Sequence, residues 1–240
     1  MIKKLLIVFA SGFALSIVAL SAAWVIGGQD LMTRIQRDHH FSIDVDDDDR
    51  DAGTPQATRS LTFDGARLLT VSVPVEMRFV RGEKTEMTVS GPAAAINALV
   101  WENDELSLRG KDQDTEHRSL RLTITAPQFA GLILNAPGDI ELRDLDQSSL
   151  KLEVRSPASV DARGRVDTLD VSTSGVGSLD LARLDARDAK AEISGVGSID
   201  LNARGKVDVA ITGAGSVSLH RKPAVLTSRT NGLGSIDNDY

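Results

Sequence analysis

The chain repeats itself about every nineteen residues, and that period limits its folds more than any other property. Ser174–Leu181 reads S-G-V-G-S-L-D-L and returns as S-G-V-G-S-I-D-L at Ser194–Leu201. It appears again as T-G-A-G-S-V-S-L at Thr212–Leu219 and N-G-L-G-S-I-D-N at Asn231–Asn238, and looser copies stand at Ala136–Leu142 and Ser156–Ala162. The residue before each polar step is Gly138, Ala158, Gly177, Gly197, Gly215 or Gly234, spaced 20, 19, 20, 18 and 19 apart. Repeats this short and regular stack so that each unit buries an apolar face it could not bury alone.

The texture of each copy is that of a half-buried strand, with apolar and polar residues alternating. Leu179 and Leu181 face one side while Ser178 and Asp180 face the other, and Ile199/Leu201 and Val217/Leu219 follow the same rule. A second alternating strand precedes each motif: Leu150/Leu152/Val154, Leu169/Val171/Thr173, Ala189/Ala191/Ile193 and Val207/Val209/Ile211. Between the two strands lies G-x-G, formed by Gly175 and Gly177, Gly195 and Gly197, Gly213 and Gly215, and Gly232 and Gly234. Glycine there permits positive φ and close approach of stacked backbones. Two strands, a glycine corner and a short return make one coil of a parallel β-solenoid, so the chain is expected to be all-β. The L-x-x-L-x-L-x-x-N pattern of leucine-rich repeats is absent.

Composition excludes several functions. The formal charge of -7 argues against nucleic-acid binding, which needs clustered Lys and Arg. No cysteine is present, which removes disulfides, thiol chemistry and lipidation at cysteine. Lys3 and Lys4 precede an uncharged, largely apolar run, so residues 1–26 are expected to be a signal peptide or an inner-membrane anchor. Either alternative puts the remainder of the chain outside the cytoplasm. Residues 27–60 are expected to form an acidic flexible linker around Asp44, Asp46, Asp47, Asp48, Asp49 and Asp51. A calcium loop starting at Asp44 would need glycine and glutamate where Asp49 and Pro55 stand.

Residues 61–240 are read as one β-helical domain, with irregular first coils and a cap over 61–127 and regular repeats over 128–240. In the first part Leu69, Val71, Val73 and Val75 alternate, Pro92 followed by Ala93–Ala95 and Ile96 suits a short helix, and Leu120/Leu122/Ile124 form a strand. Solenoid ends expose unpaired strand edges. A cap is therefore expected, and any uncovered end would favour self-association.

No residue stands out as catalytic. His39, His40, His117 and His220 lack metal-ligand spacing partners. The repeated serines Ser178, Ser198, Ser216 and Ser235 recur because the coil recurs, and neither nucleophile-elbow nor phosphate-loop spacing is present. What stacking would create is a polar face. Asp161, Asp180, Asp200 and Asp237 fall in one row with Glu141 and Ser218, beside a row holding Asp139, Ser159, Ser178, Ser198, Ser216 and Ser235. Such a face can be solvated and neutralised by Arg143, Arg163, Arg183 and Arg204, can bind a ligand or weakly bind calcium, or can do acid–base chemistry. Repulsion along the row is expected to raise its carboxylate pKa values, so that mild acid or calcium stabilises the domain.

The order of features resembles the bacterial GIN domain, the proposed head domain of autotransporter adhesins and otherwise of unknown function. The resemblance rests on the Phe63–Val75 strand block, Leu106–Leu108, the strand ending at Ala126-Pro127 and the tandem S-G-x-G-S-[IL]-D motifs. It implies an exported, right-handed β-helix of the cell envelope with an adhesive role. No series of alternating strands follows the last repeat, so translocation through a barrel of its own is not expected. The expected function is thus a noncatalytic envelope module binding a glycan or surface partner, without a cofactor. The alternative is a carbohydrate-active lyase or hydrolase using the carboxylate row.

Overall fold

Backbone pairing follows the repeat. In the computed structural model, which describes residues 55–110 and 119–240, Gly138 pairs with Ala158, Ala158 with Gly177, Gly177 with Gly197, Gly197 with Gly215 and Gly215 with Gly234. All of these pairings are parallel. The signal or anchor segment, nearly all of the acidic linker, His39, His40 and the charged stretch containing His117 lie outside the described residues. Gly53–Tyr240 forms one compact unit.

Three long strands make the centre: β9 (Gly138–Val154), β10 (Ala158–Thr173) and β11 (Val176–Ile193), numbered by their place in the chain. Each runs through a corner and so belongs to two stacks. The motif stack contains the first halves of these strands, then β12 (Val196–Ala203), β14 (Ala214–Leu219) and β16 (Leu233–Asn238). The second stack contains their last halves, then β13 (Lys206–Ile211) and β15 (Val225–Thr230). The corner falls at Asp144 in β9 and Gly164 in β10, both with positive φ. Aspartate and glycine are among the residues that tolerate that backbone region.

Between the stacks the apolar side chains close a continuous core. Ile140, Val160, Leu179, Ile199 and Val217 point in from one stack, and Leu152, Val171, Ala191 and Val209 from the other, all buried. The alternation read from sequence holds through the regular coils as far as β14 and lapses in the last coil, where β15 and β16 are almost wholly exposed. Thr173 is the one buried polar residue among those described, and its hydroxyl has no hydrogen-bond partner.

The N-terminal part joins the solenoid but not in simple coil order. β2 (Leu68–Val71) and β3 (Val75–Arg81) form a coil against β8 (Gly131–Leu134) and β9. Outside it lie β6 (Glu105–Leu108), parallel to β2, and β7 (Leu120–Ala126), parallel to β3. A later segment therefore sits beyond an earlier one. The outermost strands reverse direction: β4 (Glu86–Pro92) is antiparallel to β7, and β1 (Gln56–Leu61) is antiparallel to β4. Strand structure thus reaches back to Gln56, within the segment read as linker. β5 (Leu99–Glu102) makes a tight hairpin with β6 through Asn103 and Asp104, both at positive φ. The expected short helix is α1 (Ala93–Ala98), with Pro92 as its cap. Aromatic packing closes this end: Phe79 stacks on Phe129 at 4.9 Å, and Phe63 lies against both Phe129 and Trp101.

Candidate functional site

The outer surface of the motif stack carries the residues singled out from sequence. Alternation places every second side chain outward, and the register aligns those side chains from coil to coil. Glu141 faces Asp161, Asp161 faces Asp180, Asp180 faces Asp200, Asp200 faces Ser218 and Ser218 faces Asp237. Two residues earlier runs the row Asp139, Ser159, Ser178, Ser198, Ser216 and Ser235. The Ser198 hydroxyl lies 3.2 Å from that of Ser178, and Ser235 donates to Asp237 at 2.9 Å. A third row, Val176, Val196, Ala214 and Leu233, was not singled out from sequence. Val176 and Val196 are more than half exposed and Leu233 is 85% exposed. Its signal was the variable residue of G-x-G, which is apolar in each copy although it points outward.

The glycines between these rows act through space rather than through an unusual backbone. None of the eight has positive φ, contrary to one part of the sequence expectation. A β-carbon on any of them would lie closer than 3.0 Å to a carbonyl oxygen of the preceding coil. Side chains are excluded there because the coils touch backbone to backbone. The surface that results is shallow, with a depression of about 620 Å³ along Val196, Ser198, Ala214, Ser216 and Leu233. A second, of about 280 Å³, is bordered by Arg78, Asp139, Glu141 and Asp161.

Arginines neutralise much of the acidic row. Glu141 accepts from Arg78 at 2.9 Å, pairs with Arg143, and has Arg163 at 3.7 Å. Arg183 pairs with Asp161 and approaches Asp180 to 3.9 Å. Burial alone would raise the Glu141 pKa, but hydrogen bonds and charge from Arg143 and Arg78 outweigh it and hold the carboxyl below its ordinary value. At Glu141 this reverses the upward shift expected from repulsion. Arg204, expected to serve the row, turns to Asp185 at 2.8 Å instead. Asp200 has His220 at 3.3 Å. Among the described residues, no group of three or more His, Asp or Glu is arranged to hold a metal ion.

A family model described as "Putative auto-transporter adhesin, head GIN domain" matches residues 67–223, which hold most of the cap and every coil except the last, β15 and β16. The chain belongs to this family. Three solved structures are similar to this chain at low identity. A putative adhesin from Bacteroides fragilis is 20% identical with a TM-score of 0.59, over 77% of this chain and 97% of that one. A putative lipid binding protein from Parabacteroides distasonis is 16% identical with a TM-score of 0.47, over 78% and 97%. A putative adhesin from the same organism is 11% identical with a TM-score of 0.44, over 78% and 98%. The likeness to the Bacteroides fragilis structure concerns the fold alone. A comparison with curated proteins finds no match.

Proposed function

We propose that this GIN domain is a noncatalytic binding module of the cell envelope, engaging a glycan or surface partner through the outer face of the motif stack. The observation that carries this reading is the unbroken register of three chemically distinct rows. An apolar ridge, a hydroxyl row and a carboxylate row run side by side over consecutive coils. A ligand lying along the solenoid axis would meet similar polar groups at each strand spacing, about 4.8 Å, with Ser218 in place of one carboxylate. Ser178, Ser198, Asp180, Asp200 and Asp237 supply its polar contacts. Acid–base catalysis asks for a different arrangement, one carboxylic acid with a raised pKa in a water-poor cleft. Here Glu141 is shifted downward, Asp161 is engaged by Arg183, and the face is shallow.

The same reading takes the chain as exported, with residues 1–26 a signal or inner-membrane anchor, and the coil as right-handed, the hand of nearly all parallel crossovers. A glycan array run beside a reducing-sugar release assay tests the function. Binding without sugar release, weakened by Ser198→Val together with Asp200→Asn, is the expected result. Turnover abolished by Asp180→Asn and Asp200→Asn would overturn the proposal in favour of a carbohydrate-active enzyme.

A further inference from the structure

A second charged locus lies at the corner beyond the acidic row. Asp185 is met by guanidinium groups from three other coils: Arg165 at 3.9 Å, and Arg204 and Arg221 each at 2.8 Å. One carboxylate cannot balance three arginines. The nearby acids offset only part of the difference: Asp167 and Asp188 share the single Arg187, which leaves one negative charge over, and Asp200 faces His220. Lys222, beside Arg221, has no partner among the described residues. The locus therefore keeps excess positive charge on a chain whose formal charge is -7.

Donor geometry separates this locus from the other arginine pairs. Arg143 and Arg155 each turn both Nε and Nη2 onto a glutamate, so the fork edge of the guanidinium is spent. Arg204 and Arg221 contact Asp185 through Nη1 alone, leaving their Nε and Nη2 donors unused among the described residues. Both Nη1 atoms reach the same oxygen, Oδ1, at 3.0 and 2.8 Å, which holds the two guanidinium groups side by side. They remain accessible, at 46% and 45% exposure.

From this geometry we propose that Arg204 and Arg221, positioned by Asp185, bind an oxyanion of the phosphate or sulfate class. The site is separate from the hydroxyl and carboxylate rows and does not depend on their function. Bidentate guanidinium forks match the oxygens of such groups, and side chains fixed in advance lose less freedom on binding. Arg165 adds charge from the preceding coil. The anion can be a free ion or a group carried on an acidic glycan, and the recognition chemistry is the same.

The test is binding of inorganic sulfate, inorganic phosphate, heparin and uncharged dextran to the full chain at low salt, by calorimetry. Sulfate, phosphate and heparin should bind and dextran should not. Arg204→Gln combined with Arg221→Gln should weaken binding about tenfold or more, the scale of lost charge-assisted hydrogen bonds. Arg204→Lys combined with Arg221→Lys keeps the charge but removes the forks, and should weaken binding comparably. Arg155→Gln changes charge elsewhere and should leave affinity within about twofold. Heparin held far more tightly than free sulfate would assign the site to a polymer-borne group; similar affinity per anion would assign it to a free ion. Absent anion binding by the unaltered chain, equal losses in Arg155→Gln and the double variants, or full affinity in the lysine variant would each overturn the proposal. Melting curves of every variant establish that it is folded before its affinity is compared.

Discussion

At Gly197 an added β-carbon would press on the carbonyl oxygen of Gly177, while its neighbour Val196 is 53% exposed on the outer surface. Strand propensity and position therefore conflict. Valine is the better strand former, yet Gly197→Val must push two coils apart, at a cost of about 2–4 kcal/mol. Val196→Ala removes an exposed side chain and should cost within about 0.5 kcal/mol. Equal melting temperatures for the two variants would refute the close-approach assignment. Thr173 makes the opposite case. It stands in a column with Val154, Ile193 and neighbouring aliphatics, with its hydroxyl buried and unpartnered. Leaving such a group without a partner costs about 1–3 kcal/mol, so Thr173→Val should raise stability by roughly 1 kcal/mol. Chemical denaturation checks this, and a lower midpoint at an unchanged slope would show that the hydroxyl contributes to stability.

Within the motif stack, the charge balance of the acidic row sets its response to pH. A carboxylate with a folded pKa below its unfolded value stabilises the fold above the unfolded value and loses that contribution as pH falls through the folded one. Glu141, held below its ordinary 4.5, is such a group, and Glu153 on the second stack, beside Arg155 and Lys151, is another. Neither gives a gain in stability on acidification from pH 7 to 5. Their contribution should fade as pH drops below about 4.5, and Glu141→Gln should make that acid limb shallower. Millimolar calcium should leave the melting temperature unchanged, because Arg78, Arg143, Arg163 and Arg183 already occupy the upper part of the row. A clear rise with calcium or mild acid would mean that repulsion governs the row. The alignment itself was legible from residues: a period near nineteen and an alternation of two locate Asp161, Asp180 and Asp200 before any coordinates. Partner choice was not. Arg204 is also close in sequence to Asp200, four residues on, but a guanidinium on a long stem can serve another coil, and it meets Asp185. The outermost strands were illegible for a related reason. β4 and β7 pair across more than thirty residues and reverse direction, and nothing within either strand specifies its partner.

Across the whole domain, the two ends of the solenoid are finished differently. Toward the N-terminal side the coils are covered by β7, β4 and β1, with Phe63, Phe79, Phe129 and Trp101 packed beneath them. At the other side, among the described residues, β15 pairs only with β13, and β16 only with β14. All six residues of β15 are exposed, including the apolar Val225 and Leu226. In a linear stack each coil is held by its own contacts and by those of its neighbours, so a coil with one neighbour opens most readily. Local opening rather than global unfolding should therefore govern exchange of the β15 and β16 amides. Hydrogen–deuterium exchange at neutral pH is expected to show these amides exchanging at least about a hundredfold faster than those of β10 and β11, which are paired on both sides. Protection should rise coil by coil toward the centre and stay high through β3 and β7. Uniform protection from β3 to β16 would mean that the domain opens as one unit, and the nearest-neighbour account of its stability would fail.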